Sequence, residues 1–216
     1  MNGLFLTLEG GEGCGKSTQL ERVASALRTA TGREVVTARS PGGTAVAEKI
    51  RDILKSRDET GEDLLPETEL MLFGACHAQM CEHVIRPVLE RGGILISDRF
   101  TDSTLVYQGC ARRIAPETVR RVNEFVCRGI RPDLTLVLDI PVELGLGRAD
   151  KRGGTAATQD DRFDSESTAF HEAVRNGFLE LARREPERFA VIDASPSPEK
   201  VTQAILEAIH ARLAIL

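Results

Sequence analysis

Gly10-Gly11-Glu12-Gly13-Cys14-Gly15-Lys16-Ser17 satisfies the pattern G-x-x-x-x-G-K-[ST]. Glycines at this density let the main chain fold into a nest whose N–H groups converge on an anion, and a helix beginning just behind it adds positive potential. Lys16 would reach the outer phosphates of a nucleoside triphosphate, and the Ser17 hydroxyl is a ligand for Mg²⁺. Gly10, Gly11, Glu12, Gly13, Cys14, Gly15, Lys16, Ser17 and Thr18 are therefore the expected ATP-binding residues. The motif alone does not separate a kinase from a switch GTPase, an ATPase or a binding module.

A second constellation follows an apolar run: Asp98-Arg99-Phe100 after Gly93-Ile94-Leu95-Ile96-Ser97. At the C-terminal edge of a parallel sheet these residues would face the phosphate loop, where ligands bind in such folds. Asp98 could organise metal-bound water or accept a proton, and Arg99 could clamp a second phosphate with its fork. A surface salt bridge is the plainer reading of the same pair.

The elements that must position these residues are legible from periodicity. Strand-length apolar runs lie at 4–8, 34–38, 94–97, 134–138 and 189–192, and helical patterns at 17–30, 45–56, 67–90, 117–128, 142–150, 166–184 and 198–213. Their alternation predicts an α/β, three-layer P-loop NTPase fold: a five-stranded parallel sheet with helices on both faces. Pro87 should kink or break the third helical stretch. Residues 1–216 read as a single domain, with a loose loop at 152–159.

Composition agrees. Aromatics are 4% of the residues and Trp is absent, so Val, Ile and Leu must build the core. A net charge of −5 with interspersed signs leaves no basic footprint for nucleic acid or a membrane surface. The five Cys form no C-x-x-C pair and the Leu4–Leu8 stretch is too short for a signal core, which predicts reduced thiols and a cytoplasmic location.

The loop GGEGCGKST, the PGGT turn at 41–44, Phe73, Asp98-Arg99-Phe100 with Asp102-Ser103-Thr104 and Tyr107-Gln108-Gly109, the segment RPDLTLVLDIP at 131–141, and Asp161-Arg162-Phe163 together resemble the bacterial thymidylate kinases. The resemblance runs nearly end to end. It implies ATP-dependent phosphorylation of dTMP to dTDP in dTTP biosynthesis, with Mg²⁺, in a homodimer. It implies that Glu12 touches the sugar edge, Arg51 and Arg99 hold the monophosphate, Phe73 stacks on the base, Thr104 lies near its edge, and Tyr107 and Gln108 lie over sugar and base, Tyr107 filling the space of a 2′-hydroxyl. Ser17 and Asp98 become the metal side. An apolar face around Val84, Val88 and Val122 would suit dimer packing, although burial within one monomer explains it equally.

Arg148-Ala149-Asp150-Lys151-Arg152 and the loop after them resemble the family's lid, residues 148–162. In the family the catalytic arginine comes from the phosphate loop or from the lid. This loop has none, so the resemblance implies the lid-arginine type, with Arg148 and Arg152 as candidates and Lys151 secondary. Two departures from the family's pattern stand out, the first near the phosphate site and the second at the base. Ser40 stands where the family usually has Glu, and His77 where it usually has an Arg that bonds the thymine carbonyl; Arg113 also replaces a glycine. His77 cannot reproduce the two-pronged donation of a guanidinium. The alternatives are therefore a kinase of another pyrimidine deoxynucleoside monophosphate, dUMP or a 5-substituted dUMP, and a catalytically silent nucleotide-binding regulator.

Overall fold

The computed structural model describes residues 3–55, 62–152, 163 and 166–215, the side chain of Arg152 lying outside this set. Strands β1 (Leu4–Glu9), β2 (Val35–Arg39), β3 (Ile94–Asp98), β4 (Leu134–Asp139) and β5 (Phe189–Asp193) form one parallel sheet in the order β2-β3-β1-β4-β5. The run of aliphatic residues in the inner strands follows from burial on both faces. Leu6, Leu8, Ile94, Ile96, Leu134 and Leu136 point to one core, filled by Val23, Ala24 and Leu27 of α1 (Lys16–Thr31) and by Val201, Ile205 and Ile209 of α9 (Pro198–Leu213). On the other face Phe5 and Leu95 pack with Met80, Ile85 and Phe100, and Val137 and Phe189 with Val174 and Phe178.

The remaining helices are α2 (Ala45–Lys55), α3 (Pro66–Met80), α4 (Arg86–Glu90), α5 (Thr101–Thr104), α6 (Pro116–Cys127), α7 (Val142–Arg152) and α8 (Thr168–Arg184). The helix expected over 67–90 is divided. A π-helical stretch, Cys81–Ile85, separates α3 from α4, with Arg86 N–H donating to the Cys81 carbonyl. Pro87 has no N–H and its ring crowds the carbonyl of residue 83; one extra residue in the turn moves that carbonyl aside without ending the helix.

Register brings the strand ends together, Leu8 and Arg39 both lying opposite Asp98. Of the apolar face expected at Val84, Val88 and Val122, Val88 is buried in the monomer's own core. Phe125, one turn after Val122 on α6, is 83% exposed instead. Among the described residues no helix is long and apolar enough to cross a membrane. Most of the segment expected as a lid lies outside the described residues.

Candidate active site

The phosphate loop joins β1 to α1. Gly10, Gly13 and Gly15 have φ of 138°, 67° and 92°, conformations that glycine alone adopts cheaply. Gly13 has a further reason: a Cβ there would collide with the Gly145 carbonyl of α7, and one on Gly145 with the Glu12 carbonyl. The loop is thus pressed against a helix by two facing glycines. The Lys16 ammonium lies across the loop, donating to the carbonyls of Gly11 (2.8 Å) and Gly10 (3.2 Å). Ser17 Oγ donates to Asp98 Oδ2 at 3.2 Å, so the two residues expected on the metal side do meet.

Arg99, immediately after β3, is a non-glycine residue with φ of 69°. This left-handed conformation is strained for a bulky side chain, and such strain persists only where the surroundings enforce it. Here Arg99 N–H donates to the Leu8 carbonyl, while Phe100 N–H (2.8 Å) and Ser103 Oγ (2.6 Å) both donate to the fully buried Glu9 carboxyl. The turn directs the guanidinium across the phosphate loop, Nη2 to Glu12 Oε1 at 2.8 Å and Nη1 to the Gly10 carbonyl at 3.0 Å, above the Tyr107 ring at 5.0 Å. Among the described residues its guanidinium donates to the Gly10 carbonyl and Ser103 Oγ through Nη1 and to Glu12 through Nη2, leaving Nε–H and the second Nη2 proton. Burial raises the pKa of the Glu12 carboxyl, but Arg99 and then Lys16 outweigh that and hold it below the usual range.

Glu9 titrates in the opposite sense. Burial, then the neighbouring Asp102, raises its pKa from 4.5 to about 8 against the pull of Arg99. The fold therefore favours the protonated carboxyl: this contribution is whole below pH 4.5 and is lost as pH rises through about 8. Between those limits stability should fall by up to about 1.4 kcal/mol per pH unit. Thermal melts from pH 5 to 8 should show this slope in the wild type and a flatter one in Glu9→Gln; equal slopes in both would remove Glu9 as its source.

A cavity of about 280 Å³ runs from Glu12, Lys16 and Ser17 past Arg99 to Arg51, Phe73, Tyr107 and Gln108. It brings together most of the expected acceptor residues. Phe73 forms a wall with Phe163, their ring centroids 6.1 Å apart, and Phe163 also meets the edge of Tyr107. Thr104 lines the cavity, yet its hydroxyl is committed inward to the Thr101 carbonyl (2.7 Å) and to Asn123. Gln108 gives its Nε2 to Glu69 at 2.7 Å, leaving Oε1 buried without a partner among the described residues. His77 does not line the cavity: it is fully buried behind Ser40, with Nε2 2.9 Å from Ser40 Oγ and its ring 4.9 Å from that of Phe100.

On the opposite side of the loop a second cavity is lined by Gly13, Gly15, Thr18, Arg148 and the segment Ala194–Pro198. Arg148 sits there, donating to the carbonyls of Ala194 (2.8 Å) and Ser195 (2.7 Å), apart from the cavity that holds Arg99. Arg152 ends α7, and Asp161 and Arg162 lie outside the described residues.

Sequence reasoning missed several supports of the site. Residues 101–111 carry no clear helical period, yet form α5 and a π-helical stretch, Leu105–Ala111, in which Arg112 N–H donates to the Tyr107 carbonyl. This wider turn is common at functional sites, where it re-aims side chains such as Tyr107 and Gln108. Beneath it Asp102 receives Arg188 through both carboxylate oxygens, at 2.6 and 2.9 Å, and Thr135 Oγ1 at 2.8 Å. A carboxylate closing an apolar strand (Glu9) and a glycine inside a helix (Gly145) were the available signals for two of these supports.

The comparisons with known proteins agree with this geometry. A family model described as "Thymidylate kinase" matches residues 8–205. The chain is 47% identical over 212 residues to a thymidylate kinase of Geobacter sulfurreducens, covering 98% of both chains. It is 49% identical over 205 residues to one of Pseudomonas fluorescens, covering 95% of this chain and 94% of the other. The crystal structure of thymidylate kinase from Ehrlichia chaffeensis superposes with a TM-score of 0.75 at 28% identity, covering 97% of this chain and 99% of the other. On the breadth of these matches and the phosphate loop facing an acceptor cavity, the chain belongs to the thymidylate kinase family.

Proposed function

We propose that the protein transfers the γ-phosphoryl group of ATP to dTMP, giving ADP and dTDP. The observation that carries this reading is the single cavity joining the phosphate loop at Lys16 to the aromatic wall at Phe73 and Phe163. A phosphate oxygen of dTMP attacks the γ-phosphorus; the new P–O bond forms as the bond to the β,γ-bridging oxygen breaks, and ADP leaves. Lys16 and the loop N–H groups hold the donor phosphates, and Arg99 steadies the acceptor phosphate with its remaining N–H groups. Arg51, already tied to the Pro41 carbonyl at 2.7 Å, completes the acceptor side. Tyr107 lies where a ribose 2′-hydroxyl would need room.

Ser17 and Asp98 would hold Mg²⁺. A hydroxyl and a carboxylate in contact are the hard-oxygen donors this ion takes when substrate phosphates and water supply the rest. When bound, the ion neutralises charge on the transferring phosphates. Because Arg148 is occupied at Ala194 and Ser195 on the donor side, Arg152 is the stronger candidate for the catalytic lid arginine, within a lid of about 148–162 in one kinase domain. Five unpaired cysteines suit a cytoplasmic location, and the exposed Phe125 suits a homodimer packed through α6.

Coupled ADP detection with dTMP, dUMP and dCMP tests the substrate. We expect dTMP to be turned over best and dCMP at least about a hundredfold less efficiently. Turnover of dTMP no better than that of dCMP would overturn the reading.

A further inference from the structure

His77, one turn after the cavity-lining Phe73 on α3, has its ring 6.5 Å from that of Phe73. Ser40 and Gln108 line the same cavity, while Thr104 has its hydroxyl engaged elsewhere. The Gln108 amide is oriented by chemistry: the Glu69 carboxylate, also paired with Arg112, accepts, so the Gln108 NH₂ must face it. Its Oε1 is then an acceptor, fully buried and without a partner among the described residues, turned away from the open cavity.

His77 decides what Ser40 offers. Burial lowers the His77 pKa to about 3, so the ring is neutral and carries one N–H. Nδ1 has no partner among the described residues, whereas Nε2 lies 2.9 Å from Ser40 Oγ. A proton on Nδ1 would be a buried donor with nothing to accept it. A proton on Nε2 leaves only an unused lone pair on Nδ1, and buried orphan donors are rarer than under-satisfied acceptors. The ring therefore donates from Nε2 and Ser40 Oγ accepts. No other partner of Ser40 Oγ occurs among the described residues, so its own proton is free to turn into the cavity it lines.

We propose that Ser40, oriented by His77, donates to the C4 carbonyl of the base. A hydroxyl donor at this place matches the 4-carbonyl of a pyrimidine-2,4-dione and disfavours cytosine, which presents an amino donor at C4. His77 acts here as a positioning residue, and Ser40 is the group that touches substrate. The assignment deepens the dTMP reading and rests on it.

The test compares dTMP with its 4-thio analogue, whose thiocarbonyl is a poor acceptor, in the wild type and Ser40→Ala at saturating ATP. The wild type should prefer dTMP by about tenfold in kcat/KM, the worth of one hydrogen bond to substrate. Ser40→Ala should lose about tenfold on dTMP and little on the analogue, so that the preference disappears while KM for ATP holds. His77→Phe, which fills the ring's space without a donor, should reduce the preference by about threefold or more. A preference unchanged in either variant, or an equal loss on both substrates, overturns the Ser40 assignment alone. A wild type that phosphorylates neither compound overturns the substrate reading and this assignment with it.

Discussion

Arg99→Ala should lower kcat/KM for dTMP by about a thousandfold, the loss expected when a preorganised charged clamp is removed from a phosphoryl-transfer site. KM for ATP should stay within about threefold, because Arg99 lines the acceptor cavity while the donor phosphates belong to Lys16 and the loop. The main-chain turn at φ 69° remains, since Phe100 N–H and Ser103 Oγ still meet Glu9. The effect is thus confined to the fork and its partners: Glu12 loses its 2.8 Å ion pair, and the Gly10 carbonyl and Ser103 Oγ lose a donor. Arg99→Lys restores the charge without the planar geometry and should recover about tenfold at most. Steady-state kinetics with each substrate varied in turn decide the matter: an Arg99→Ala enzyme within tenfold of wild type on dTMP would place the acceptor clamp elsewhere.

Asp102→Ala should cost about 3 kcal/mol of stability, the usual penalty for leaving one member of a buried ion pair behind. Arg188, with 12% of its side chain exposed, would keep only Glu185 as an anionic partner among the described residues, and Thr135 would lose the carboxylate it donates to. Activity should fall with stability, because Asp102 holds α5 under Ser103 and Thr104. Replacing Arg188 as well, by Met, removes the stranded charge, so the double variant should be less destabilised than the sum of the two single ones. Denaturant midpoints for the four proteins measure the coupling. Simple additivity would mean that the pair contributes packing rather than a coupled charge interaction.

What could be read from sequence and what could not divides along chain separation. The phosphate loop, the five strands and the helices around them are local statements, each contained in a stretch of about ten to twenty residues whose glycine spacing or apolar period is sufficient. The DRF block was legible for the same reason: a charged pair closing an apolar run must stand at the edge of the sheet. The π turn before Pro87 was half-legible, since a proline announces a disturbance but not whether the helix ends or widens. Other features depend on partners far away in the chain. His77 in a helical pattern looks able to reach a base; only Ser40, thirty-seven positions earlier, and the ring of Phe100 make it a buried neutral support. Arg148 looks like any lid arginine until the Ala194 and Ser195 carbonyls claim it. By itself, then, the sequence determined where a phosphate-loop motif lies, Gly10–Thr18, and at which edge of which sheet. Tertiary structure decided which side chains lining the cavity keep a donor or acceptor unspent, because the direction of a hydrogen bond depends on who has already taken the other lone pair.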